Sequence, residues 1–371
     1  MTQRELQVAV VREKGSFQIE NARIGAPGPG EVLVRVVAAG LCHTDLIVRD
    51  QDLPLPLPMV LGHEGSGVVE EVGEGVQGLA PGDHVVLSFH SCGECATCQA
   101  GSPAYCERFM PLNMGGARED GTHALHSEAG VLHDQFFGQS SFGSYALTHA
   151  RNTVKVRRDV PLELLGPLGC GIQTGAGAVL RSMKVPAGSS LAAFGAGAVG
   201  LSAVMAARVA GAAVIIAVDT KPGRLELARE LGATHTVNAA EEDPVAAIRR
   251  LTGTGANFTF EATGLTSVMR QAVEALGPRG TCGIVGAPPA GAQASFDVYD
   301  LLMLGKHIMG IVEGDSVPRE FIPELVDLYA EGRFPFDRLI RYYDLADINQ
   351  AAADSESGVT LKPVLRMPTP A

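Results

Sequence analysis

Residues 190–219 read SLAAFGAGAVGLSAVMAARVAGAAVIIAVD. A short apolar run stops at Gly195, glycines at 195, 197 and 200 mark a turn, an Ala/Val/Leu-rich run follows, and a second short apolar run ends in Asp219. This is strand, glycine turn, helix, strand. Both strands are apolar throughout, as strands covered on both faces of a parallel sheet must be. Gly195, Gly197 and Gly200 form a G-x-G-x-x-G turn whose backbone can approach a pyrophosphate at the N-terminus of the helix. Asp219, 24 residues after Gly195, stands where an acid binds the adenosine ribose hydroxyls and repels a 2'-phosphate. NAD is therefore favoured over NADP. Arg224 and Lys221 lie close enough in sequence to offset that repulsion, and a mononucleotide or methyl-donor cofactor on the same turn is the alternative.

The same stretch has no charge from Ser189 to Ala207, long enough to suggest a membrane span. The glycine turn inside it argues against a lipid-spanning helix. Outward to about residue 311 the alternation continues through the helix pattern KPGRLELARELG, strand TVN, helix VAAIRRLTG, strand NFTFEATG, helix VMRQAVEALG and strand TCGIVGA. That makes 172–311 a doubly wound parallel α/β unit. Before 172 the chain reads as short strands and loops punctuated by Gly and Pro, such as EVLVRVVAAG and GSGVVEEVG. After 311 a helix, FIPELVDLYAEG, and a closing segment, GVTLKPVLRM, remain, with no further strand–helix repeat expected. Phe109 to Phe142, carrying His123, His126 and His133, has no readable period; at that length an irregular segment is a functional loop or disordered.

The 371 residues are 46% hydrophobic, enough for two cores. Twenty-nine basic against 41 acidic residues give a charge of -12, with no Lys/Arg cluster, which argues against nucleic acid as a partner. The first residues, MTQRELQVAVVREKG, lack an export signal, so a cytoplasmic address is expected. Seven cysteines without such a signal argue against disulfides and for metal ligation.

Cys92, Cys95, Cys98 and Cys106 cluster among Gly93, Gly101 and Pro103. Four thiolates satisfy a tetrahedral zinc completely, giving a closed structural site; an iron–sulfur cluster is the rival. Cys42 in GLCHTD, His63 and Glu64 in GHEGSG, and Cys170 in PLGCGIQT each follow an apolar run beside glycine. Together they offer two thiolates and one imidazole, the ligand set of the catalytic zinc in alcohol dehydrogenases, with a fourth position open. Asp45 is a candidate acceptor for the His63 N–H. Cys282 is left as a buried strand residue.

With these motifs in order, the chain resembles the zinc-dependent medium-chain alcohol dehydrogenases over essentially its full length. GHEGSGVVEEVGEGV, the 92–106 cluster and GAGAVG carry the likeness. GLCHTD, RDQ, FFGQSSF, LGPLGCGIQTGAGAV, GIVGAPP and GIVEGD point within it to bacterial aryl-alcohol and geraniol-type enzymes. The resemblance implies a GroES-like β-rich catalytic domain from 1–171 and 312–371, with the Rossmann NAD domain inserted at 172–311. It implies two zinc ions per subunit, a homodimer or homotetramer, and no membrane partner.

On matching residues it implies Cys42, His63 and Cys170 as catalytic zinc ligands, and Glu64 as a nearby carboxylate able to visit the metal. Thr44 would pass the alcohol proton, Thr174, Val199 and the backbone near Val285 would set the nicotinamide, and His43 and Lys362 would contact the pyrophosphate. Many relatives carry a histidine that completes the proton relay where this chain has Ile47, so His43, or ribose hydroxyls with water, must end the relay. Ile47 and Phe89 suggest an apolar substrate pocket. The expected reaction is reversible oxidation of a primary aromatic or allylic alcohol. The alternatives are a broad-range aliphatic alcohol, a polyol or a glutathione adduct as substrate, or a non-catalytic NAD-binding zinc protein.

Overall fold

The computed structural model describes residues 3–369, which divide into two compact units. The first takes the chain up to Gly171, then Val317–Ala330 and the residues from Phe336 on; the second is Ile172–Ser316 with Glu331–Pro335.

In the second unit, strands Ser190–Phe194, Val214–Asp219, His235–Asn238, Ala256–Glu261, Leu276–Ile284 and His307–Gly310 form one sheet, parallel throughout. Numbered along the chain, their order in space is 3-2-1-4-5-6, the doubly wound dinucleotide-binding order. Ile216, Ala192, Phe194 and Phe260 are buried at 0–1% exposure, so the uninterrupted apolar strands follow from cover on both faces. The helix Ala198–Ala210 starts at the glycine turn. A Cβ on Gly200 would stand 1.7 Å from the Gly195 carbonyl oxygen, which is why the third glycine of the motif admits no side chain. No helix among the described residues is long and apolar enough to cross a membrane.

The first unit is built on two sheets. One orders Met59–Val60, Arg4–Val11, Gln18–Ile24, Leu125–Ser127 and Gly130–Val131; the other runs Thr153–Lys155, His84–Leu87, Glu64–Val72, Glu31–Gly40, Lys362–Arg366 and Ile340–Asp344, with Tyr145–His149 also pairing to Glu31–Gly40. Val8, Val10, Val34, Leu61, Phe136 and Phe142, all at 0% exposure, belong to its core. Two expectations need correction here. A strand–helix–strand repeat does follow residue 311: Ile340–Asp344 and Lys362–Arg366 pair in parallel around the helix Ile348–Ser357. It escaped detection because IRYYD is only partly buried and INQAAADSES has few apolar residues, both weak periodic signals.

The segment 109–142 is also ordered, with a helix Phe109–Met114, two short strands and a tightly buried turn at Phe136–Phe142. Asp134, 1% exposed, anchors it by accepting the N–H groups of Ala124 at 2.5 Å and Leu125 at 3.0 Å. Its other oxygen has no hydrogen-bond partner among the described residues. Burial pushes the Asp134 carboxyl up to about 6.

A carboxyl whose folded pKa lies above its unfolded value of roughly 3.9 costs stability once ionised, so this cost grows as pH rises through 6 and vanishes below 4. Asp134→Asn keeps an oxygen for the two backbone donors and removes the titration. Denaturant unfolding of both proteins is expected to show the variant gaining about 1 kcal/mol relative to the wild type between pH 5 and pH 8. A difference independent of pH would remove Asp134 from this role.

Candidate active site and metal centres

Three remote stretches of the first unit meet at one point. Cys42 immediately precedes the helix His43–Arg49, His63 precedes the strand Glu64–Val72, and Cys170 follows the helical turn Gly166–Gly169. Gly62 makes the approach possible: its φ is +95°, and a Cβ there would lie 2.5 Å from the Phe142 nitrogen. Ligand atoms of Cys42, His63, Glu64 and Cys170 all lie within 4.8 Å of one another.

His63 is fully buried, and its Nδ1 is 3.0 Å from Asp45 Oδ1. The same carboxylate accepts the backbone N–H groups of Gly62 at 3.1 Å and Cys42 at 2.9 Å. With a proton held on Nδ1, Nε2 presents its lone pair, and it has no hydrogen-bond partner among the described residues. A buried imidazole nitrogen is costly when left unpaired. Facing two thiols, it completes the donor set that fits a zinc ion. Burial alone would lower the His63 pKa, but Asp45 and Cys42 together outweigh it and raise it well above the ordinary value. Hydrogen bonding with Cys170 and the charge of Lys362 pull the Cys42 thiol well down.

Glu64 lies within that same 4.8 Å and is also ion-paired. Both its oxygens lie 2.9 Å from Lys362 Nζ, and Oε1 also accepts the Gly171 N–H at 3.1 Å. Burial raises the Glu64 pKa and the ammonium offsets part of that rise. Lys362 is raised in spite of its own burial, because Glu64 faces it. Thr44 Oγ1 lies 3.8 Å from Cys42 Sγ.

The four clustered cysteines also converge within 4.8 Å. Cys92 and Cys98 sulfurs are 3.9 Å apart, Cys95 and Cys106 sulfurs 4.0 Å. Zinc–sulfur bonds of about 2.3 Å in a tetrahedron require edges of about 3.8 Å, whereas a disulfide would need about 2.05 Å. Backbone N–H groups of Cys95 and Arg108 point at Cys92 and Cys106 sulfurs from 3.4 Å. The Thr97 hydroxyl brings Cys95 down to about 6, while burial pushes Cys98 up to about 12; a coordinated dication deprotonates all its thiols outright.

In the second unit, Asp219 Oδ2 accepts the Ala196 N–H of the glycine turn at 2.7 Å and Oδ1 accepts those of Thr220 and Lys221 at 2.7 and 2.9 Å. Arg224 Nη1 stands 3.8 Å from the same carboxylate. Gly197 and Val199 are half-buried along the turn, and Val285 donates its N–H to the Glu261 carbonyl at 2.9 Å. Thr174 is buried, with its hydroxyl 3.5 Å from the Glu313 carboxylate.

Residues 28–158 match the alcohol dehydrogenase GroES-like domain and 198–331 the zinc-binding dehydrogenase family. Geraniol dehydrogenase of Castellaniella defragrans is 49% identical over 362 residues, 97% of each chain. The chain belongs to the zinc-dependent medium-chain alcohol dehydrogenases. Benzyl alcohol dehydrogenase from Acinetobacter calcoaceticus, a solved structure, superposes with a TM-score of 0.96 at 54% identity, covering 98% of this chain and 100% of that one. A zinc-binding dehydrogenase from Sinorhizobium meliloti 1021, bound to NADP, gives 0.82 at 27% identity, covering 98% and 99%. As a member of this family the protein is an alcohol dehydrogenase that works with zinc and a nicotinamide cofactor.

The remaining expected site residues of this alcohol dehydrogenase have the following settings. Lys362, expected at a pyrophosphate, is 3% exposed and clamped on Glu64. Phe89 is 3% exposed in the core beside Phe109, and Ile47 packs against the same core. His43 is exposed. The sequence reading missed Phe136, Phe137 and Gln139. Phe137 stacks on the His63 ring with centroids 4.5 Å apart, Phe136 meets it edge-on at 5.4 Å, and Gln139 donates to the His63 carbonyl at 2.9 Å. Gln135, Phe137 and Ser140 have φ of +63°, +51° and +48°, a left-handed conformation costing on the order of 1–3 kcal/mol each. The only sequence signal was the string FFGQSSF itself.

Lys362→Met leaves a buried carboxylate without its counter-charge, which typically costs about 3–5 kcal/mol. Denaturant unfolding of the zinc-loaded protein should show a loss of that order, with the double variant Lys362→Met/Glu64→Gln recovering most of it. A loss below about 1 kcal/mol in the single variant would show that the pair is dispensable.

Proposed function

We propose that this enzyme oxidises primary benzylic or allylic alcohols to aldehydes, reversibly, with NAD as cofactor. One observation carries the reading: two thiols and one imidazole, Cys42, Cys170 and His63, converge within 4.8 Å, with the ion-paired Glu64 beside them. A zinc ion held by Cys42, His63 and Cys170 would supply a Lewis acid for the substrate oxygen, and NAD would supply the hydride acceptor. Asp45 fixes the His63 tautomer, and Thr44, beside Cys42, is placed to take the alcohol proton. Ile47 cannot relay it, so exposed His43 or the cofactor ribose carries it onward. The names of the geraniol and benzyl alcohol relatives support an unsaturated substituent. Asp219 supports NAD, since its carboxylate would repel a 2'-phosphate.

Turnover of benzyl alcohol, geraniol, ethanol and sorbitol with NAD and with NADP tests this. Benzyl alcohol and geraniol should exceed ethanol in kcat/KM at least tenfold, NAD should exceed NADP, and chelation should abolish activity until zinc returns. Preference for ethanol or sorbitol would overturn the substrate class, and inactivity toward every alcohol with zinc bound would sink the whole reading.

We also propose a homo-oligomer. The helix Val298–Leu304 exposes Val298, Tyr299, Leu302 and Met303 at 61–73%, beside His307–Gly310, the last strand of its sheet. Such an apolar patch next to an open strand edge suits a second copy. Sedimentation should give a dimer or tetramer for the wild type and a smaller species for Leu302→Glu/Met303→Glu; a monomeric wild type would dismiss the idea.

A further inference from the structure

The segment Gln135–Phe142 is buried against the ligand His63 in a conformation that side-chain burial alone does not require. We propose that Phe137 and Gln139 are positioning residues for His63, Phe137 fixing the plane of the imidazole and Gln139 fixing the backbone that carries it. This rests on reading Cys42, His63 and Cys170 as zinc ligands.

The contact with Asp45 acts on one ring atom, Nδ1. A single-point bond leaves the ring free to tilt about that point, and tilting swings Nε2 away from the two thiols. Phe137 removes that freedom, because its face covers the imidazole at 4.5 Å with 24° between planes. Phe136 closes the adjoining side at 5.4 Å and 86°. Phe137 is itself wedged edge-on by Phe136 at 5.0 Å and Phe109 at 6.2 Å.

Gln139, 1% exposed, uses its amide as a three-way clamp. It donates to the His63 carbonyl at 2.9 Å and the Ser88 carbonyl at 3.2 Å, and accepts the Gly65 N–H at 3.1 Å. The backbone on both sides of Glu64 is thereby tied to the end of the strand His84–Leu87. Next to it, Ser141 and Phe142 donate their N–H groups to Gly62 and Leu61, and the Ser140 hydroxyl donates to the Val60 carbonyl at 2.6 Å. Positive φ at Gln135, Phe137 and Ser140 would suit glycine, yet two of the three side chains, Phe137 and Ser140, are at most 5% exposed. The left-handed turn lays ring on ring and amide on backbone at once.

The test uses the full-length protein, zinc-loaded and cobalt-exchanged, in Phe137→Leu, Phe137→Tyr and Gln139→Met forms. Leucine keeps apolar bulk and loses the plane; tyrosine keeps the plane. Metal release to a chromophoric chelator and the visible cobalt spectrum are read together. Phe137→Leu should release the thiolate–imidazole metal at least tenfold faster and shift its cobalt bands, while the metal of Cys92–Cys106 leaves at the wild-type rate. Phe137→Tyr should stay within twofold of wild type, and Gln139→Met should fall between. Equal acceleration of both metals would mean general destabilisation and overturn the proposal, as would identical behaviour of the leucine and tyrosine forms. If Phe137→Leu does not fold, Gln139→Met decides on the same criterion. A wild type lacking a thiolate–imidazole cobalt spectrum would instead overturn the ligand reading beneath it.

Discussion

The buried carboxylate of Asp45 is the constraint on which the first unit's chemistry depends. It accepts the Cys42 and Gly62 N–H groups and faces His63 Nδ1, so one side chain joins the start of a helix to the start of a strand and orients the ring at their junction. Each of those donors would be an unpaired buried group without it. Hydrogen bonds to a charged acceptor are stronger than neutral ones, and at 0% exposure water cannot substitute. Cys42 and His63 become neighbours through this carboxylate as much as through the sheet.

The two groups of cysteine-bearing candidate metal ligands are drawn together in different ways. The 92–106 cluster draws its ligands from one short loop and uses every coordination position on protein sulfur, so it can brace that loop but not bind an alcohol. The Cys42–His63–Cys170 group draws on three distant stretches, and the one carboxylate in reach, Glu64, is ion-paired with Lys362.

What could be read from sequence followed the range of the contacts. The glycine turn with Asp219, and the closely spaced cysteines, act within short segments, so spacing alone exposed them. Cys42, His63 and Cys170 were suggested by residue type and by resemblance, since their meeting depends on two bulged strands and a glycine with φ of +95°. The pairing of Lys362 with Glu64 was not legible because the two lie 298 residues apart and no local pattern encodes a pairing of that range. Phe137 and Gln139 were invisible for a related reason: an aromatic pair in a turn-rich segment looks like ordinary core, and only backbone in the left-handed region reveals what it faces. The strand Ile340–Asp344 was lost because half-buried, charged strands have no clean alternation.

The distance between Glu64 and Lys362 also bears on the order of events during synthesis. The second unit is made almost entirely before residue 316 and can fold as a body while the chain is still growing, as domains generally do. The first unit cannot, because its sheet lacks Ile340–Asp344 and Lys362–Arg366 until those residues have been made. Until then Glu64 has no counter-charge and stands as a potential extra ligand beside Cys42, His63 and Cys170. The strand Lys362–Arg366 thus brings Glu64 its counter-charge only after every other group of the centre has been made.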